Sequence, residues 1–311
     1  MYRLATGITP GAVLPLKGVE HLTAIELSPL VVRAADQYFS DYNYGVTRSD
    51  RATIAVEDGR TYISSAREKF DLVCGDLFLP WAPGETRLYS REHFAAVHAS
   101  LREGGLFCQW LAMYQLTEEQ FETIAETFAS VFPGSQLFIN HFRGDTPMLG
   151  LVGWKNPEDS HHWRETAARR IESLRATGEI LDPILRHPEA LDLLSLGPWE
   201  KVATKNSTLV SLNDPALEFS AARERLTGNP GKKYYFMTRW FQFCFQQRKK
   251  NNLTLEVTQL ATSLQSLESA MASQHSASRE IFNFLKVNLP KNLLLDSDAD
   301  WARWPGSIAP K

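Results

Sequence analysis

The chain has 311 residues, 43% hydrophobic and 22% charged, with a formal net charge of −3. That length allows one large or two ordinary domains, and the apolar fraction can bury a core, which excludes a broadly disordered chain. Nothing in the charge balance points to nucleic acid, because the one basic run, Arg248-Lys249-Lys250, reads as a solvated helix face. Cys74, Cys108 and Cys244 lie far apart without CxxC spacing. No metal site and no disulfide framework is therefore expected, and a reducing, cytoplasmic compartment fits. No apolar run approaches the roughly 18–20 residues of a membrane span, and Met1-Tyr2-Arg3-Leu4 lacks the pattern of a signal peptide.

In chain order, the glycine turn Ala5-Thr6-Gly7-Ile8-Thr9-Pro10-Gly11 opens a helix. Thr9 is its expected cap, Pro10 its first position and Leu16 its approximate end. Leu22–Glu26 is an apolar run too short for a helix before Ser28-Pro29, so it reads as a buried parallel strand ending in an acid. A carboxylate at such a tip, beside a glycine turn, suits the two hydroxyls of a ribose. A solvated strand-end acid and a plain turn glycine are the simpler alternative. Ser28 and Pro29 start the next helix, with Val31, Val32, Ala35 and Phe39 on its apolar face. Thr53–Val56 is a strand leading to Glu57-Asp58-Gly59, and a helix runs from there to about Lys69. Phe70–Asp76 is a strand that again ends in an acid.

Residues 77–89 form a loop rich in Pro, Gly and aromatics. Ser90 caps a helix to about Leu101, stopped by Glu103-Gly104-Gly105. Leu106–Leu111 is a central strand, and Leu116–Phe132 holds a helix capped by Thr117. Gln136–Asn140 and Met148–Val152 make an antiparallel pair. Strand–helix alternation with a closing hairpin is the pattern of an α/β, doubly wound, mostly parallel sheet. Only Met1–Leu4 precede the glycine turn, too few for the strand that normally comes before it, so the chain is expected to be a fragment or to start inside a longer reading frame. Domains are expected at 1–155 and at 156–311. The second is mainly helical, with helices at His162–Thr177, Ala190–Leu196, Tyr234–Gln247 and Leu253–Ala272, a linker at 228–233 and an irregular end at 288–311.

GITPGA, AIELSP, EDGRTYI, FDLVCGDLFLPW, LYSREHF and GGLFCQW, in this order and spacing, resemble the spermidine synthase (polyamine aminopropyltransferase) family. They are most similar to its divergent spermidine-synthase-like branch, whose members are often fused to membrane segments. The resemblance covers about Leu4–Gly153, and Asn213–Phe219 is similar to a later motif of that branch. It implies a methyltransferase-like Rossmann domain with no tightly bound cofactor. The co-substrate would be decarboxylated S-adenosylmethionine, whose aminopropyl group passes to a small-molecule amine and leaves methylthioadenosine. A homodimer is compatible with the resemblance.

Carried over by position, Gly7 and Gly11 belong to the nucleoside-binding turn and Glu26 holds the ribose. Asp58 and Gly59 contact adenine, and Asp76 is the general base. A polyamine is protonated near neutrality, so a base must take a proton before nitrogen can attack the carbon beside a sulfonium. Trp81 and Tyr89 offer aromatic faces to adenine or the sulfonium, or pack within the loop.

Departures accompany the likeness. Leu79 stands where the family's D-x-x-D-P loop has its second acid, Thr6 where its glycine turn has one, and the family's N-terminal β-hairpin domain does not appear. Each lost charge-assisted contact removes roughly 1.5–3 kcal/mol of attraction for a polyamine. His93, His98 and His161-His162 read as structural or surface residues, Gln109-Trp110 as core at the edge of the cleft, and Arg60 and Arg87 as solvated. Two alternatives to aminopropyl transfer stay open: methyl transfer from S-adenosylmethionine, and a non-catalytic nucleoside-binding domain.

Overall fold

The computed structural model describes residues 3–140, 146–178, 189–199, 209–214, 216–227 and 238–253. Leu22–Glu26 (β1) and Ala52–Val56 (β2) pair in parallel, with Glu26 opposite Val56. A second sheet contains Phe70–Gly75 (β3), Leu101–Ala112 (β4), Gln136–Ile139 (β5), Met148–Trp154 (β6) and Ser195–Pro198 (β7), in the order β3-β4-β6-β5-β7. The β3–β4 pair is parallel and the remaining pairs are antiparallel. The α/β architecture expected from strand–helix alternation is therefore present, with the anticipated β5–β6 hairpin.

Three local expectations are corrected. The first helix (α1) is only Ile8–Gly11, capped by Gly7 in the left-handed region at φ 79°, not by Thr9. Gly11, its last residue, passes so close to Asn43 that a Cβ would meet the Asn43 carbonyl oxygen. Glu103-Gly104-Gly105 does not separate a helix from a strand but lies inside β4. The register jumps from Phe70 opposite Leu101 to Leu72 opposite Leu106. Gly104, at φ 74°, turns this bulge, and Gly105 passes so close to β3 that a Cβ would meet the Phe70 carbonyl at 3.0 Å. Finally, the helix expected through Leu196 stops at Leu194, and Ser195–Pro198 instead joins β5 as an edge strand, with Gly197 at φ 85°.

The other helices follow their signals. Pro29–Phe39 (α2) begins at Pro29 after Ser28 and buries Ala35. Gly59–Ser65 (α3) is shorter than expected, since Ala66 is already extended. Arg91–Ser100 (α4) is capped by the Ser90 hydroxyl, which accepts from the His93 N–H. Glu118–Ala129 (α5) opens with a capping box in which Thr117 and Gln120 satisfy each other's backbone N–H.

Alternation along β4 sends Phe107, Gln109 and Leu111 into the interior against α4 and α5. Phe107 meets Phe94, Phe128 and Phe132 with ring centroids 6.0, 5.5 and 5.7 Å away. Burying each such ring contributes about 1.5–3 kcal/mol.

Described residues of the C-terminal half add to this core. Trp163–Thr177 (α6) follows β6, and Glu189–Leu194 (α7) leads into β7. Ala216–Thr227 (α8) and Thr238–Lys250 (α9) add Leu217, Trp240 and Phe243 to the cluster around Phe121. The expected linker at 228–233, the helix candidate beyond Leu253 and the end at 288–311 lie outside the described residues.

Candidate active site

A cleft of about 350 Å³ opens where β1, β2 and β3 end, lined by Glu26 from β1, Asp58 and Gly59 after β2, and Phe78 in the loop after β3. Ligands collect at the carboxyl ends of strands in such sheets because the loops there diverge and leave backbone donors and acceptors unpaired.

Glu26 is 8% exposed, so its carboxylate needs partners. Two backbone donors supply them: Ala5 N–H reaches Oε2 at 3.3 Å and Ser28 N–H reaches Oε1 at 3.1 Å. One donor comes from the glycine turn and the other from the turn into α2, so the acid is fixed between both segments. Each oxygen keeps acceptor capacity toward the cleft.

Asp58 is the N-cap of α3. Its Oδ1 accepts from the Thr61 N–H at 2.8 Å and from the Thr61 hydroxyl at 3.0 Å. Burial pushes its pKa up, but the Thr61 hydrogen bonds and the Arg60 charge outweigh that and hold it below the usual carboxylate range. Asp58 is thus an anion that caps with one oxygen and has a second to present.

Asp76 follows the last residue of β3 and is half-buried. Burial raises its pKa, opposed by the Leu77 N–H on Oδ1 and by the Arg3 charge. A carboxylate with a raised pKa is a stronger base when ionised. Its main chain is pinned by Gln109, whose Nε2 donates to the Asp76 carbonyl at 2.9 Å and to the Trp110 carbonyl at 3.0 Å. Gly75 permits this crossing, since a Cβ there would lie 2.3 Å from Gln109 Oε1.

Residues 77–89 form the outer wall. The Tyr89 hydroxyl donates to the Phe78 carbonyl at 2.9 Å, and the two rings meet edge to face. Tyr89 is fully buried, and burial pushes its phenol up out of reach of titration. It anchors the wall and leaves Phe78 as the aromatic residue that lines the cleft. Leu79 donates its N–H to Glu85 Oε2. The Thr86 hydroxyl donates to Glu218 of α8 at 2.8 Å, and Glu92 accepts from the Ser211 hydroxyl and the Leu212 N–H. The Asn213–Phe219 motif therefore touches the wall through Glu218, although Pro215 lies outside the described residues.

The remaining candidates separate by geometry. Gly7 and Gly11 do not line the cleft; a side chain at either would collide with Asn43, which donates to the Thr6 and Ala35 carbonyls. That packing favours glycine at both positions, and the left-handed backbone adds to it at Gly7. Arg60 and Arg87 line the cleft rim. His93 is buried, and desolvation lowers its pKa to about 3, so it stays neutral. His98 and Lys155 exchange hydrogen bonds with each other's carbonyls. Sequence reasoning missed Arg3, Phe78 and Glu85 as lining residues. It also missed that Cys74 and Cys108 face each other across β3 and β4.

Comparisons with known proteins converge on this half of the chain. A family model described as the spermine/spermidine synthase domain matches residues 7–143. The chain is 27% identical over 171 residues to polyamine aminopropyltransferase 2 of Hyperthermus butylicus, covering 55% of each protein. It is 30% identical over 155 residues to the polyamine aminopropyltransferase of Aeropyrum pernix, covering 49% of each. A crystal structure of spermidine synthase from Thermotoga maritima superimposes with a TM-score of 0.44 at 20% identity, over 51% of this chain and 54% of that one. The chain spans about half the length of the curated relatives it matches. Residues 7–143 thus match the spermine/spermidine synthase domain, over the same stretch that carries the motifs resembling that family.

Proposed function

We propose that this chain carries the nucleoside site and base of an aminopropyltransferase. The observation that supports it most is that Glu26 and the Asp58-Gly59 pair, more than thirty residues apart in sequence, line one cleft with Phe78 from the loop that follows Asp76. Glu26 would accept both ribose hydroxyls of decarboxylated S-adenosylmethionine, and Asp58 the exocyclic amine of adenine. The acceptor nitrogen would then attack the propyl carbon attached to sulfur. As the N–C bond forms, the C–S bond breaks with its electron pair going to sulfur, which leaves neutral methylthioadenosine. The proton lost from nitrogen passes to the Asp76 carboxylate and then to water. Phe78 offers a π face to the sulfonium, and the half-buried Asp76 supports the same positive charge electrostatically. The free thiols of Cys74, Cys108 and Cys244 suit a reducing cytoplasm. No helix among the described residues is long and apolar enough to cross a membrane.

Calorimetry with methylthioadenosine, decarboxylated S-adenosylmethionine and S-adenosylmethionine, joined to an assay of methylthioadenosine release, tests the reading. The expected order places the two ligands without a carboxylate ahead of S-adenosylmethionine, with release of methylthioadenosine from the decarboxylated one on adding an amine. Tighter binding of S-adenosylmethionine with methyl transfer would replace the reading with a methyltransferase. Binding without release from any amine would leave a nucleoside-binding module.

A further inference from the structure

We propose that Arg3 occupies the place of a substrate ammonium in the acceptor arm of the cleft, so that the amine accepted is a monoamine with an apolar chain rather than a diamine. This rests on the aminopropyl-transfer reading and names its acceptor class. A diamine reacts through one neutral nitrogen and keeps the other as an ammonium, which needs an acid within reach. Three residues, two in the wall and Asp76 just before it, are the candidates to meet it. Leu79 is apolar. Glu85 already accepts the Leu79 N–H through Oε2, and that same oxygen lies 3.8 Å from Arg3 Nη1. Asp76 is the base, with Oδ1 taken by the Leu77 N–H.

Arg3 is held in this position. Its Nη1 donates to the Leu77 carbonyl at 2.7 Å, which fixes the guanidinium beside the loop that carries Asp76. Its backbone has φ 69°, in the left-handed region that side-chain-bearing residues rarely adopt. Such an outlier at a cleft is a reason to look for a role. The arginine brings its own positive charge to the acids that would otherwise attract a second ammonium. Arg60 and Arg87, which also line the cleft, add to the repulsion, while the lining acid Glu57 is next in sequence to Asp58. What remains for the tail of the acceptor is apolar: Leu27, Phe78, Pro83 and Leu88.

The test uses the full chain with decarboxylated S-adenosylmethionine and three amines of equal length: 1-aminobutane, 1,4-diaminobutane and 4-aminobutanoate. Release of methylthioadenosine should be most efficient with 1-aminobutane. The diamine should trail by roughly 10- to 100-fold in kcat/KM, the worth of one lost charge-assisted contact. Arg3→Gly, which also relieves the backbone, should raise the diamine-to-monoamine ratio by at least about tenfold. Arg3→Gln is the second variant, and the wild-type panel decides the question even if neither variant folds. A wild-type preference for the diamine or for 4-aminobutanoate, or a ratio that Arg3→Gly leaves unmoved, overturns the inference while transfer itself stands. Release from none of the three, by a chain that binds methylthioadenosine, overturns both.

Discussion

Gly75 and Gln109 lie opposite each other on neighbouring parallel strands, and the Gln109 carboxamide fills the space that a Gly75 side chain would need. That exchange of volume lets a core residue of β4 reach across β3 and hold the backbone of Asp76. Gly75→Ala places a methyl group 2.3 Å from Gln109 Oε1. The carboxamide must leave, and the Asp76 carbonyl loses its donor. We expect a loss of about 1–3 kcal/mol in stability, measured by denaturant unfolding. Transfer should fall too, without a matching loss of nucleoside affinity. Gln109→Glu, which cannot donate while ionised, should reproduce the effect on transfer.

Asp76→Asn separates catalysis from stability. Release of methylthioadenosine should fall by roughly 10²–10⁴-fold, the range for a positioned acid–base group, with nucleoside binding nearly unchanged. Because burial raises the folded-state pKa of Asp76, its ionisation disfavours the folded state. Its contribution to stability is present below the unfolded-state pKa and is lost as pH rises through the raised folded value. The asparagine variant should therefore be the more stable protein at neutral pH and lose that advantage in acid. Urea unfolding at neutral and acidic pH checks the sign.

Glu26→Gln keeps the shape of the side chain but turns one acceptor oxygen into an NH₂ donor. Both oxygens face backbone N–H groups, from Ala5 and Ser28, so either orientation sets a donor against a donor. Nucleoside affinity should drop by roughly 1–3 kcal/mol, and the melting temperature should also fall. Calorimetry that finds unchanged affinity would reduce Glu26 to a strand-end acid.

Asp58→Ala removes a cap and a ligand contact together. The cap alone is worth about 0.5–2 kcal/mol. Since Asp58 has a lowered pKa in the folded state, its contribution is present above the unfolded-state pKa and is lost as pH falls through the folded one. The wild type and Asp58→Ala should thus converge in stability in strong acid and diverge toward neutrality. Asp58→Ser, which restores a cap, should recover stability but not nucleoside affinity.

Cys74 and Cys108 provide a probe of the sheet. The Cys108 thiol donates to Cys74 and holds its pKa below the ordinary value against the effect of burial, while Cys108 itself is pushed up by giving that bond and by burial. Iodoacetamide should label Cys74 before Cys108, as followed by peptide mass spectrometry, and Cys108→Ala should slow the labelling of Cys74.

Much of this protein is written locally. The β1 strand is legible because Leu22–Ile25 is apolar and stops at Glu26 before Pro29. The α5 start is legible because Thr117 and Gln120 have capping-box spacing. These features depend on residues within one turn or one strand of each other, where propensity and periodicity act. The motif order that marks the family is likewise a property of the linear chain.

What only the tertiary structure decided is which distant residues share a volume. Gly7 and Gly11 read as ligand-facing glycines, yet they make room for Asn43, more than thirty residues away. Glu103-Gly104-Gly105 reads as a helix stop but is a bulge required by the close backbone of β3. Ser195–Pro198 follows a helical pattern but gains more by pairing with β5 and burying Leu196. Arg3 gives no signal in the sequence. Its charge matters because Leu77 and Glu85 are folded around it, and electrostatic interaction depends on separation in space, not along the chain.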